Sequence, residues 1–90
     1  MEIEFDAAKD AANREKHGVS LGEAAQLEWD RMVTEIDTRQ EYGEVREVGY
    51  SVMGERLYCV VFVRRDEVTR IISLRKANRR EVDDYEKTTD

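Results

Sequence analysis

Apolar and polar positions divide the chain into short runs separated by charged breaks. Glu2 to Phe5 alternates, with Ile3 and Phe5 on one side, and predicts a short strand. Asp6 is placed to cap a helix whose apolar face is mostly alanine (Ala8, Ala11 and Ala12). That helix ends at His17-Gly18, where glycine tolerates the left-handed conformation. Ser20-Leu21-Gly22-Glu23 reads as a capping box opening a second helix, with Val19 and Ala24 as its staple. Leu21, Ala24, Ala25, Leu27 and Trp29 carry that helix to Asp30 or Arg31. Two helices joined by Gly18-Val19 make a helical hairpin. Met32 to Ile36 predicts a strand, and Asp37 to Gly43 a polar turn.

The second half reads as sheet. Glu44 to Met53 alternates, with Arg46, Val48, Tyr50 and Val52 on the side expected to pack on helices. Glu47, Gly49 and Ser51 form a small polar side expected to face solvent or a ligand. Met53-Gly54-Glu55 turns the chain into Leu57 to Val63, an apolar run rich in β-branched and aromatic residues and too short for a typical helix. Arg64-Arg65-Asp66-Glu67 breaks it, and Val68 to Leu74 returns as the other arm of an antiparallel hairpin. Strict alternation puts Arg70, Ile72 and Leu74 on one face and Ile71, Ser73 and Arg75 on the other. Arg70 is then expected at the sheet edge or in a carboxylate pair. Asn78 with Glu81 caps a final helix that buries Val82 and Tyr85. The expectation is a single α+β domain over residues 1–90: a small antiparallel sheet with an N-terminal helical hairpin and a C-terminal helix.

Charge changes this picture more than composition does. The chain carries 15 Lys or Arg against 21 Asp or Glu, a net −6 that by itself argues against nucleic acid. Between Arg56 and Arg80, however, eight cations meet two carboxylates, leaving seven against nineteen elsewhere. One basic surface on an acidic body follows. No run is long enough for a membrane span, and the acidic start is not a signal peptide. Cys59 lies inside the apolar run as a core residue. No disulfide can form within the chain, and the cytoplasm is the expected location.

Several blocks together resemble the BrnT toxins of type II toxin–antitoxin systems. They are Phe5-Asp6 with Lys9, then Asn13 followed by Lys16-His17-Gly18-Val19-Ser20, then Glu23-Ala24, Arg46, and Gly54 with Arg56. Most specific is Arg70-Ile71-Ile72-Ser73 through Arg75-Lys76-Ala77 to Arg79-Arg80-Glu81. The chain departs from the family in its acidity and in having Asp30-Arg31 where an Asp-Pro is usual. The resemblance implies a fold similar to RelE and ParE toxins and a metal-independent ribonuclease that needs no cofactor. It further implies neutralisation by a BrnA-like antitoxin, which supplies the contact with operator DNA.

Metal-free RNA cleavage needs in-line attack by the ribose 2′-hydroxyl, cations for the extra charge on phosphorus, and groups that move protons. Arginine suits the second task, since its planar fork meets two phosphate oxygens. Arg46, Arg75, Arg79 and Lys76 are the expected catalytic group, with Arg56, Arg80 and His17 binding substrate and no metal site. Glu44 is a further candidate base. Arg64 and Arg65 read as hairpin-tip charges, and Trp29 and Tyr50 as core rather than base-stacking rings. Two competing classes keep the fold: a catalytically weak co-repressor that works only beside its antitoxin, and a gyrase inhibitor of the kind known among ParE relatives.

Overall fold

The apolar run and its successor become the two longest strands, β4 (Arg56–Arg65) and β5 (Val68–Lys76), in a computed structural model describing residues 1–89. Leu57, Cys59, Val60, Val61, Phe62 and Val63 are all buried, so β4 is covered on both faces, as a solid apolar run requires. β3 (Glu47–Met53) and β2 (Val33–Ile36) extend the sheet on one side, and β1 (Glu2–Glu4) joins β5 on the other. The order is β1-β5-β4-β3-β2. β1 runs parallel to β5, with Ile3 opposite Thr69, so the sheet is mixed rather than antiparallel throughout. No hairpin joins these two strands, and no turn dictates their relative direction.

The expected helical hairpin does not form. α1 (Ala7–His17) is a true α-helix, ended by Gly18 at φ 73°, but the following segment, Leu21–Gln26, is a 3-10 helix with a short 3-10 turn at Trp29–Arg31. The capping box is present: Ser20 Oγ accepts from the Gly22 amide at 3.2 Å, and Glu23 accepts from the Ser20 amide at 2.9 Å. Beyond it the spacing decides. Leu21, Ala24 and Leu27 are buried while Ala25 is exposed, a repeat of three residues that a 3-10 helix stacks along one edge. These residues and Val19 pack against Val60, Phe62, Ile71 and Leu74 to form the core. Trp29 joins them edge-on to Phe62 at 5.1 Å, its indole donating to the Ala24 carbonyl at 2.8 Å.

The alanines of α1 are exposed, against expectation. The side of α1 turned inward is polar: Asp10 and His17 are half-buried and Asn13 is buried. Asn13 donates to the carbonyls of Val19 (2.9 Å) and Leu74 (2.8 Å) and accepts from the Leu74 amide at 3.2 Å. β1 pairs with β5 only at Val68, Thr69 and Arg70, so the Asn13 amide stands in for a strand beside Leu74. Asp10 takes the Ser20 hydroxyl at 3.0 Å and the Leu21 amide at 2.7 Å. α1 is therefore attached by hydrogen bonds where small-residue packing was expected.

The small polar side of β3, expected to face solvent or a ligand, is the side turned to the core. Gly49 and Ser51 are buried toward the core: a side chain at Gly49 would run into Met32 and Phe62, and Ser51 Oγ donates to the Glu28 carbonyl at 2.7 Å. Val48, Tyr50 and Val52 therefore face the other way. In β5 a bulge opposite Val61/Phe62 leaves Ile72 extra, so Ile71 and Leu74 both enter the core. The slip also moves Arg70 to the face of Arg75.

Candidate active site

Register builds the face away from the core in rows. Val33, Tyr50, Cys59 and Arg75 stand opposite one another across β2, β3, β4 and β5, and Glu35, Val48, Val61 and Ser73 form the next row. α2 (Arg79–Thr89) follows β5 directly and reaches back over the first row. Asn78 caps it: its side chain accepts from the Glu81 amide, and its own amide donates to Glu81 Oε1, both at 2.9 Å. Val82 and Tyr85 are half-buried. Between α2 and the segment after β2 lies a hollow of about 370 Å³, with Val48, Cys59 and Val61 among its lining, where Arg39 and Arg75 face the carboxylates of Glu35, Asp37 and Glu81.

At one side of this hollow Arg75 meets Glu81 fork to fork. Nη1 donates to Oε1 and Nη2 to Oε2, each at 2.8 Å, and the Tyr50 hydroxyl donates to Oε2 at 3.2 Å. The Arg75 guanidinium, outweighing partial burial, holds the Glu81 carboxyl down at about 2. Burial keeps the Tyr50 hydroxyl protonated well above its ordinary range, and burial likewise pushes the Cys59 thiol up, with Arg75 opposing. A second pair belongs to the segment after β2. Arg39 donates to both oxygens of Asp37, at 2.8 and 2.7 Å, and the Tyr42 hydroxyl adds a bond at 3.1 Å. The Asp37 amide donates to the Arg46 carbonyl at 2.8 Å, so buried Asp37 anchors this segment to the start of β3.

His17 lies one turn beyond Asn13 on the same side of α1. Burial lowers its proton affinity first, and the charges of Lys16 and Arg75 lower it further. Asn13 thus brings the single histidine within the field of Arg75.

The expected site residues only partly gather. Arg56 opens β4, Lys76 closes β5 opposite Tyr58, and the Ala77 amide bonds the Leu57 carbonyl at 3.0 Å. Arg56, Lys76 and the exposed Arg79 and Arg80 therefore share one end of the sheet with Arg75 and His17, but Lys76 and Arg56 stand with Tyr58 and Met53 on the core side of the sheet, opposite the face of Arg75. Arg46 does not join them. It precedes Glu47 at the other end of β3, about 20 Å along the strand from the turn into Arg56. There its guanidinium lies 3.9 Å over the Tyr42 ring, and its buried Nε lacks a hydrogen-bond partner. Glu44 is at that far end too, bonded to Arg65 at 3.1 Å, while Arg64 takes Glu47 at 2.7 Å. Arg70 holds Glu4 at 2.7 Å, the carboxylate pair expected of it.

Sequence reading missed Glu81, Tyr50 and Arg39. Glu81 reads as a cap, a role it performs, and a side chain with a local explanation gives no signal of a second role. Tyr50 reads as a core ring on the helix-packing side of β3, and the helix it meets, α2, is the one that brings Glu81 to its hydroxyl. Asp37 and Arg39 carried no signal beyond lying two residues apart in a polar turn.

The fold is that of a small α+β protein, and two guanidinium forks at the hollow, Arg39 and Arg75, each grip both oxygens of a carboxylate of the protein itself. The chain belongs to the BrnT family, described as "Ribonuclease toxin, BrnT, of type II toxin-antitoxin system", whose model matches residues 5–81. Membership implies an antitoxin partner. No curated protein matches the chain. No helix among the described residues is long and apolar enough to cross a membrane.

Proposed function

We propose that the chain is a metal-independent endoribonuclease of RelE/ParE-like fold that acts in the cytoplasm, cuts RNA and thereby inhibits translation. A BrnA-like antitoxin neutralises it, and the complex meets operator DNA only through that antitoxin. Family membership supplies the reaction class. The observation that carries the site is the Arg75 fork, turned to the face away from the core at the end of the sheet where Lys76, Arg79 and Arg80 also lie.

In this reading the 2′-hydroxyl attacks the adjacent phosphorus, the 5′-oxygen leaves, and a 2′,3′-cyclic phosphate remains. Arg75 and Arg79 hold the non-bridging oxygens while charge builds on them. His17, whose proton affinity burial and the neighbouring cations lower, accepts the 2′-hydroxyl proton. Lys76 protonates the leaving oxygen, and Arg56 and Arg80 contact flanking phosphates. Arg46 touches the chain farther along, where Tyr42 holds its guanidinium flat. Glu44 has no part, being tied to Arg65 at the far end.

A second reading rests on one specific observation: Arg39, Arg70 and Arg75 each already grip a carboxylate. On that basis the chain is a catalytically weak partner that works only in complex with a DNA-binding antitoxin. One assay separates the two. The purified chain, incubated with single-stranded RNA in excess chelator, is expected to cut it. Arg75→Ala, with folding checked by circular dichroism, is expected to lose at least about a hundredfold in rate. No cleavage by wild type, with or without added metal, favours the partner reading. Normal cleavage by the variant removes Arg75 from the mechanism.

A further inference from the structure

The first turn of α2 contains a complete anion seat whose occupant is a side chain of the protein itself. Four donors converge on the Glu81 carboxylate: both terminal nitrogens of Arg75, the Tyr50 hydroxyl and the Asn78 amide, at 2.8, 2.8, 3.2 and 2.9 Å. They come from β5, β3 and the cap of α2, so three parts of the chain build the seat. A bidentate guanidinium, a hydroxyl and a free amide at a helix start form the donor set that binds a phosphodiester, whose two non-bridging oxygens offer the same fork as a carboxylate. The seat opens on the hollow that contains Ser73 and Cys59.

We propose that Glu81 is a stand-in for substrate: an RNA phosphate displaces its carboxylate and takes over the bonds from Arg75, Tyr50 and the Asn78 amide. This rests on the ribonuclease reading above and adds Tyr50 to the residues that touch RNA. The two carboxylate–arginine pairs at the hollow are not equivalent. The Asp37 carboxylate is buried and accepts from the Arg39 amide, the Arg39 side chain and the Tyr42 hydroxyl, so losing it would undo the loop. Glu81 sits in the first turn of a terminal helix, where a rotamer change gives up the cap bond from the Asn78 amide, the Arg75 fork and the Tyr50 bond, all of which pass to the incoming phosphate. An internal carboxylate held at high effective concentration keeps affinity for RNA low until a correctly placed phosphate outcompetes it.

The test uses a fluorescent single-stranded oligonucleotide with 2′-O-methyl at every position, which binds without being cut, at fixed salt. Glu81→Gln keeps the capping box, since glutamine serves at that position, and removes the charge that competes for Arg75. Glu86→Gln makes the same charge change at an exposed position of α2 and measures the general electrostatic gain. The full-length protein with Glu81→Gln is expected to bind about fivefold tighter than wild type after that correction. The gain should vanish in the Arg75→Ala background. Tyr50→Phe added to Glu81→Gln should weaken binding again.

If Arg75→Ala loses binding and cleavage but Glu81→Gln binds no tighter than Glu86→Gln, Glu81 positions Arg75 instead of competing with RNA. The displacement proposal then fails while the ribonuclease reading stands. If Arg75→Ala binds and cuts like wild type, the site reading falls and the proposal falls with it. An unchanged affinity on adding Tyr50→Phe removes the hydroxyl from the seat.

Discussion

Asn13 shows how much one polar side chain decides. Its amide bonds both backbone groups of Leu74 and the Val19 carbonyl, all beneath the surface of the domain. Leaving a buried donor or acceptor unsatisfied costs more than the bond itself yields, because the group has also lost its water. Asn13→Ala is therefore expected to destabilise the fold by about 3 kcal/mol in urea denaturation. The same variant should loosen His17 relative to Arg75. A cost below about 0.5 kcal/mol would mean that Asn13 does not hold α1 to β5. Nothing in a sequence of residues such as Asn13 and Leu74, sixty-one positions apart, marks them as partners.

At the scale of elements, α2 is fastened to the sheet through Glu81, and this fastening is acid-labile. The Glu81 carboxyl ordinarily titrates near 4.5 and is held at about 2 in the folded chain. Below 4.5 the unfolded chain binds the proton first, so stability rises with pH across this window. The contribution of Glu81 is complete above about 4.5 and is lost as pH falls toward 2. Asp37 and Asp10 are lowered too, so acid weakens the protein at several places. Comparing thermal midpoints of wild type and Glu81→Gln isolates one of them: the two should differ at pH 6 and draw together on acidification. Parallel curves would show that the Arg75–Glu81 pair adds nothing to stability.

The elements also show where periodicity serves and where it does not. The strands and the two capped helices were legible, because their signals are local: a solid apolar run, or a carboxamide three residues before a glutamate. The 3-10 segment was not, since Leu21, Ala24 and Leu27 satisfy a helical template nearly as well as one of three residues per turn. The bulge at Ile72 was invisible for a related reason. One extra residue exchanges the faces before it, and only the partner strand records it.

Across the whole molecule, the acidic total and the basic end act at different ranges. Arg56, Lys76, Arg79 and Arg80 are exposed and hold no carboxylate among the described residues, whereas Arg39, Arg64, Arg65, Arg70 and Arg75 are paired. About four phosphate contacts at that end give a slope of about −3 for log affinity against log salt with single-stranded RNA. Anisotropy titrations of the 2′-O-methyl oligonucleotide between low and physiological salt measure it directly. A slope near zero would show that the basic end does not meet RNA.

The sequence by itself determined what is local or additive: the caps at Ser20 and Asn78, the left-handed stop at Gly18, the central hairpin, the excess of cations from Arg56 to Arg80, and the family. Tertiary structure decided everything that depends on two distant segments meeting. It paired β1 parallel to β5, turned Tyr50 outward and Gly49 inward, set Asn13 beside Leu74, separated Arg46 from the other cations, and closed Glu81 on Arg75. Periodicity reports which residues share a side, but which side is buried depends on what packs there, and a charge reveals its partner only when the chain has folded.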